Sequence, residues 1–131
     1  RNTYLNSPIL LDKNLGSKEH RGLFFAGQST GLEGYVEAIV SGRIAALNVE
    51  RYLRGIGGLS IPATTMIGGL IEHVTISGRS PLKPVYSNFG LLPSVAGRGK
   101  RDRNREKVSR AREDMDFFLK ERRSGRNDTE E

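Results

Sequence analysis

The sequence predicts an α/β fold that begins with half of a βαβ unit and continues into a largely helical portion. Residues 23–26 form a short apolar run, which is typical of a strand buried on both faces. Gly27, Gly31 and Gly34 follow closely and indicate a tight turn. A helical pattern then runs over residues 32–54, so strand, turn and helix follow in the order of a βαβ unit.

The predicted helix over residues 32–54 has start and stop signals at its ends. Thr30 and Glu33 stand three residues apart, which is the spacing of a capping box. Gly55 follows the last periodic residue and suits a C-terminal cap. These signals assign residues 1–58 to a first segment.

The second segment, residues 59–97, is expected to contain a helix over residues 63–77. Its apolar stripe is formed by Met66, Ile67, Leu70, Ile71 and Val74. Residues 80–93 follow as a proline-rich stretch with a core of apolar side chains. We expect it to be an ordered loop that buries Tyr86, Phe89, Leu91 and Leu92.

The third segment, residues 98–131, follows a flexible boundary marked by Gly97 and Gly99. Its sequence predicts a helix over residues 102–123. One side of that helix is apolar, formed by Val108, Ala111, Met115, Phe118 and Leu119. The last eight residues are expected to fray.

Composition excludes several classes of site. The 131 residues include no cysteine, which excludes disulfides, thiolate metal ligands and cysteine nucleophiles within this sequence. No apolar run reaches the ~18 residues of a membrane span, and no secretory leader is recognisable. We therefore expect a soluble, cytoplasmic protein. Because the sequence opens with Arg1 in what reads like mid-protein sequence, we expect it to be a piece of a longer chain.

The net charge of +6 and the pI of about 10.0 suit a polyanionic partner such as nucleic acid. Residues 98–131 carry 12 basic and 9 acidic side chains, against 9 and 6 in residues 1–97. The dense basic run has two interpretations. It forms a solvated helix face with pairs such as Asp102–Arg105 and Glu106–Arg110, or it contacts phosphates. The candidate RNA-binding residues are Arg98, Lys100, Arg101, Arg103, Arg105, Arg110 and Arg112.

The glycine turn is the strongest candidate binding site. Amides in the first turn of a helix have no internal partner, so they favour a phosphate or an electron-rich ring edge. An ordinary strand-to-helix turn is the alternative interpretation. Tyr35 could present a flat face to a ligand or pack in the core, and Glu37 suits the helix dipole. His20 and His73 lie in different elements without cysteines nearby, so a metal site is not expected.

In these landmarks the sequence resembles the FAD-dependent methylenetetrahydrofolate–tRNA-(uracil-5-)-methyltransferase family. The matching stretches run in order along the chain, through residues 1–8, 23–37, 41–42, 62–75 and 88–93. A sister family of flavoenzymes that modify the tRNA wobble uridine shares the Ala26-Gly27-Gln28 motif. It carries a long helical extension that is not found here.

The resemblance implies that the chain is the C-terminal part of an FAD-binding, Rossmann-like domain. The residues implied at the flavin are Gly27, Gln28, Thr30, Gly31 and Gly34, with Tyr35 and Glu37 toward the folate. The resemblance also implies that methylenetetrahydrofolate supplies the carbon and that a reduced nicotinamide, NADH or NADPH, supplies the electrons. The implied substrate is tRNA.

The family's phosphate-binding glycine turn and its cysteines are absent from this sequence. We therefore expect no catalytic residue here, and neither activity nor strong FAD binding from the chain alone. A non-enzymatic RNA-binding module and a purely structural remnant are the competing interpretations.

Overall fold

The computed structural model describes residues 3–76 and 82–127, with side chains described up to residue 122. The described chain forms the helices α1 (Ser7–Leu10), α2 (Tyr35–Leu53), α3 (Met66–Thr75) and α4 (Lys100–Asn127). Short 3-10 turns lie at Gly27–Thr30 and Phe89–Leu91. Extended backbone pairs within these residues only as isolated bridges, at Leu11–Ser17, Gly16–Phe24 and Leu32–Val85.

The strand predicted at residues 23–26 is wrong for the described chain, so the Rossmann-like α/β fold is not confirmed. The Leu23 carbonyl accepts from Ser17 at 2.8 Å, and the Phe25 amide donates to Leu15 at 2.9 Å. This pairing covers one edge and ends after a few residues, whereas a strand needs a continuous ladder. Leu23 is also 44% exposed, so the apolar run lies extended on the core rather than buried on both faces.

Helix α2 begins later than the sequence predicts, and it ends where the sequence predicts. Its N-cap is Gly34 at φ +104°, without a side-chain capping bond, so the capping box of Thr30 and Glu33 is not formed. At the other end Gly55 has φ +69°, its amide donates to Tyr52, and the Ile56 amide donates to Arg51. These two bonds form a Schellman motif, which confirms Gly55 as the stop signal.

Helix α3 joins two hydrophobic clusters and forms the centre of the core. The first cluster contains Leu15, Ile44, Ala45 and Ile71, and the second contains Leu32, Leu70, Val74 and Leu82. The apolar stripe predicted for this helix is confirmed, although the helix is shorter than expected. The Thr65 hydroxyl caps it by accepting from the Gly68 amide at 3.1 Å. Through α3 the core connects α2 to residues 82–91.

Helix α4 packs on the preceding loop and extends past both of its predicted ends. The frayed tail expected from residue 124 is not seen up to Asn127, and residues 128–131 lie outside the described chain. In the loop Leu92 is buried as expected, whereas Tyr86 is 59% exposed, so its predicted burial is wrong. Residues 77–81, which include Ser80 and Pro81, also lie outside the described chain. None of the helices in the described part is long and apolar enough to cross a membrane.

Candidate functional site

The glycine turn is held from two sides by hydrogen bonds to its backbone. The Ser7 hydroxyl donates to the Thr30 carbonyl at 2.8 Å, and the Ser41 hydroxyl accepts from the Gly27 amide at 2.9 Å. The Thr30 hydroxyl is turned inward and donates to the Gly27 carbonyl at 2.7 Å. Gln28 is exposed beside it. These hydrogen bonds fix the shape of the turn, and Gln28 and Ser29 are the side chains that it presents to solvent.

A second segment, residues 82–88, lies across this turn, and we call it the strap. Its Val85 amide donates to Gly31 at 3.2 Å, and its Val85 carbonyl accepts from Glu33 at 3.0 Å. A Cβ added to Gly31 would lie 2.5 Å from the Leu82 side chain, and one added to Gly34 would lie 3.2 Å from the Tyr86 ring. The space beside both glycines is thus occupied by the chain itself.

Glu37 connects the first turn of α2 to the strap. Its carboxylate accepts from the Ser87 hydroxyl at 2.5 Å and from the Ser87 amide at 3.2 Å. The hydroxyl bond is the main reason that the pKa of Glu37 is lowered, and the amides of Glu37 and Ser87 lower it further. An ionised carboxylate near a helix N-terminus also complements the dipole.

The strap residues were not predicted as part of the site. Ser87 lies fifty positions from Glu37 along the chain, and no local pattern indicates that the two meet. The apolar periodicity around Leu82 and Val85 indicates burial but not the element on which they pack. Only the folded chain identifies these partners.

The N-terminus of α2 exposes two backbone amides that could bind a ligand. The first amide bonded within the helix is that of Ala38, and those of Tyr35 and Val36 have no partner within the described chain. Tyr35 is 91% exposed, so it does not pack in the described core. Free amides beside an exposed aromatic ring suit the edge of a flat, electron-rich ring. They suit a phosphate less well, because the Glu37 carboxylate already lies in the same turn.

The candidate RNA-binding residues divide into two sets. Five are exposed and make no hydrogen bond or ion pair within the described chain: Arg98, Lys100, Arg101, Arg105 and Arg112. Arg103 donates to the Gly97 carbonyl at 3.4 Å. Arg110 donates to Pro93 at 2.7 Å and to Ser94 at 3.3 Å. The pairs expected between Asp102 and Arg105 and between Glu106 and Arg110 are not formed in the described structure.

The described chain thus combines a glycine turn held by hydrogen bonds, two helix amides without partners, and a basic helix. A family model described as "Glucose inhibited division protein A" matches residues 1–57, which include the turn and α2. The chain resembles part of the methylenetetrahydrofolate–tRNA-(uracil-5-)-methyltransferases, as its curated relatives show.

Three of these relatives, all named TrmFO, illustrate the similarity. The protein of Thermotoga maritima is 45% identical over 123 residues, which is 92% of this chain and 28% of the relative. That of Desulforudis audaxviator is 40% identical over 128 residues, 95% of this chain and 29% of the relative. That of Lacticaseibacillus paracasei is 39% identical over 120 residues, which is 90% of this chain and 27% of the relative. The chain thus spans less than a third of the length of these relatives.

Proposed function

We propose that this chain acts within a longer polypeptide, as one side of the cofactor site of a folate- and FAD-dependent tRNA (uracil-5-) methyltransferase. The observation that carries the proposal is the N-terminus of α2, where two amides have no partner in the described chain and the Gln28 and Tyr35 side chains near it in sequence are both exposed. The names of the relatives support a tRNA substrate and a methylenetetrahydrofolate donor. The share of their length that the chain spans supports a contribution from further sequence.

In this proposal each residue of the turn has a distinct task. The amides of Tyr35 and Val36 would bind the pyrimidine edge of the flavin, where the helix dipole stabilises negative charge. Gln28 would add a side-chain hydrogen bond to the flavin. Gly27, Thr30, Gly31 and Gly34 would fix the shape of the turn, because the chain's own contacts occupy them.

Tyr35 and Glu37 would lie on the folate side of this site. Tyr35 is free to stack on a flat ring. Glu37 would act indirectly, by holding the strap through Ser87. Bound FAD would carry the one-carbon unit and the electrons supplied by a reduced nicotinamide. The chain contains no cysteine, so groups elsewhere in the longer polypeptide would perform the covalent step.

The basic helix would hold the tRNA backbone, and this substrate agrees with the cytoplasmic location expected from the sequence. All seven candidate residues belong to this proposal: Arg98, Lys100, Arg101, Arg103, Arg105, Arg110 and Arg112. The five without internal partners would contact phosphates directly, because a guanidinium group binds phosphate oxygens in pairs. Arg103 and Arg110 would mainly position the helix.

A chimera tests the proposal. The chain replaces the corresponding region of the Thermotoga maritima relative, and 5-methyluridine in an unmodified tRNA transcript is measured by mass spectrometry. We expect the chimera to retain flavin absorbance and to form 5-methyluridine. Gln28→Ala should weaken FAD binding about tenfold, the value of one well-placed hydrogen bond. Ser29→Ala, a change at the neighbouring exposed residue, should leave it unchanged.

A folded chimera that retains no flavin would contradict the proposal. In that case the unpartnered arginines of α4 would favour the second candidate, a non-enzymatic RNA-binding module. Such a module would bind tRNA with a steep salt dependence and without any effect of FAD.

A further inference from the structure

An apolar groove lies between α4 and the turn that precedes it. Its volume is about 370 Å³, and its apolar lining comes from Met66, Phe89, Leu92, Val108, Ala111 and Met115. Val108 is 42% exposed although it lies among these side chains, so the groove is open to solvent. A groove of this volume is within the range of small-ligand sites.

Hydrogen bonds along α4 fix the two walls of the groove. The Lys107 ammonium donates to the Phe89 carbonyl at 2.7 Å. The Thr64 hydroxyl donates to the Asp114 carboxylate at 2.6 Å and connects α4 to the chain that enters α3. These contacts lie on both sides of the lining residues, so the groove is formed before any ligand binds.

Arg112 lines the groove, and a stripe of exposed arginines leads away from it along α4. Arg101, Arg105 and Arg112 are separated by whole turns of α4, and Val108 lies between the last two on the same face. All three arginines are exposed and have no partner within the described chain. Asp116 lies one turn after Arg112 and lines the groove beside it, and Asp102 lies one turn before Arg105. Because Glu106 and Glu113 lie on a different face, the stripe keeps a net positive charge, although the two aspartates offset part of it.

We propose that this groove binds an unpaired nucleobase of RNA, with the phosphates on either side of that nucleotide against Arg105 and Arg112. The groove would supply a stacking surface in Phe89 and apolar walls for the ring. The two arginines are about 10 Å apart along the helix axis. Long guanidinium side chains at that spacing reach the phosphates that flank one splayed nucleotide.

Charge complementarity favours RNA over a protein segment as the occupant. An apolar protein segment would cover Val108 and would leave three arginine side chains without partners. A nucleotide uses both the apolar lining and the positive edge. Asp116 also lines the groove, and a carboxylate accepts hydrogen bonds from exocyclic amino groups. The groove should therefore prefer cytosine to uracil, and so differ from the site that holds the uracil to be methylated. The inference rests on the RNA substrate proposed above but not on the flavin chemistry.

The first test compares two RNA heptanucleotides with the full 131-residue chain, by fluorescence anisotropy. One carries a central cytidine among uridines, and the other has an abasic residue at the centre. Stacking of one base makes binding of the cytidine strand about five- to a hundredfold tighter. Equal affinity for both strands would overturn the inference and leave only phosphate binding. A central uridine should bind more weakly than cytidine.

The second test uses a matched pair of substitutions. Val108→Asp places a carboxylate in the groove, and Phe117→Asp adds the same charge on the opposite face of α4, nine positions away, where the side chain is 67% exposed. We expect Val108→Asp to weaken binding of the cytidine strand at least tenfold, and Phe117→Asp to weaken it no more than about threefold. Equal effects would contradict the groove as the binding site. Circular dichroism shows whether both variants keep their helices, and the abasic comparison on the unchanged chain decides the question if they do not.

The third test measures the salt dependence of binding. Arg105→Gln with Arg112→Gln removes two phosphate contacts, so the slope of log K against log salt should fall by about 1.4 for a single strand. An unchanged slope would overturn the assignment of these two residues.

The groove and the proposed enzyme can fail separately. If the chain binds the cytidine strand more tightly than the abasic strand but the chimera makes no 5-methyluridine, only the proposed enzyme is refuted. Methylation by the chimera with equal binding of the cytidine and abasic strands would refute only the groove.

Discussion

Two regions of the molecule are held in place in opposite ways. One is the glycine turn together with its strap, and the other is helix α4. The strap binds the turn through the backbone of Gly31, Glu33 and Val85, and glycines are required where the two segments touch. Helix α4 is attached by side chains such as Lys107 and Arg110 that reach main-chain carbonyls.

This difference determines what each region can offer to a ligand. The turn presents backbone amides whose positions are fixed, and it tolerates few substitutions. Helix α4 presents guanidinium groups whose positions can vary, because its attachment uses only part of its surface. The following substitutions test that comparison, in decreasing order of expected effect.

Gly31→Ala should cause the largest loss of stability. Its φ of +88° strains any L side chain by about 1–2 kcal/mol, and the new Cβ would lie 2.5 Å from Leu82, which adds about 1–3 kcal/mol of overpacking. We expect the free energy of unfolding to fall by about 2–5 kcal/mol in urea titrations.

Two further variants control this prediction. Gly42→Ala lies in the interior of α2 with no atom within 4 Å of its new Cβ, so it should stabilise the chain by about 0.5–1 kcal/mol. Adding Leu82→Ala to Gly31→Ala should recover part of the overpacking energy. If the double variant loses as much free energy of unfolding as the two single variants together, the contact between Gly31 and the strap does not limit stability.

Arg110→Gln should loosen α4 without disturbing the turn. The substitution removes the hydrogen bonds to Pro93 and Ser94, which is about 1–2 kcal/mol of local stability. Hydrogen exchange should therefore accelerate at the amides of α4 and remain unchanged in α2. Arg105→Gln removes an equal charge from an exposed position, and should change stability by no more than about 0.5 kcal/mol. Faster exchange in α2 as well would show that the two regions open together.

Ser87→Ala should have the smallest effect, and one that depends on pH. Its hydroxyl lowers the pKa of Glu37, so the bond stabilises the fold above the ordinary carboxyl pKa of about 4.3. This stabilisation is lost as the pH falls through the lower pKa of the folded state. At pH 7 we expect a loss of about 0.5–1 kcal/mol, because the carboxylate is partly exposed.

Thermal unfolding between about pH 7 and pH 3 measures this effect. The difference between the unchanged chain and Ser87→Ala should shrink below about pH 5. Ser94→Ala, an exposed serine whose hydroxyl has no partner in the described structure, should show no such trend. A difference that stays constant with pH would contradict the role of the Glu37 carboxylate.

The sequence predicted well the features that depend on neighbouring residues. The end of α2 at Gly55 and the apolar stripe of α3 were predicted because a helix repeats every few residues and ends with local signals. The start of α2 was predicted wrongly. Gly34 adopts a backbone conformation that begins the helix after Glu33, and that choice depends on the strap beneath it.

The wrong strand has a similar cause. An apolar run such as residues 23–26 indicates that these side chains are partly buried. It does not indicate which segment pairs with their backbone. Pairing partners are set by distant segments, so the same run is compatible with a strand or with an extended segment on a helical core.

By itself the sequence determined the three long helices, the basic character of α4 and the position of the glycine turn, because each depends on local spacing or composition. The tertiary structure decided which glycines are packed against the strap, and that Glu37 meets Ser87. It also decided which arginines bind carbonyls and which face solvent. These outcomes depend on contacts between residues far apart in the chain, and neither periodicity nor composition carries information about such contacts.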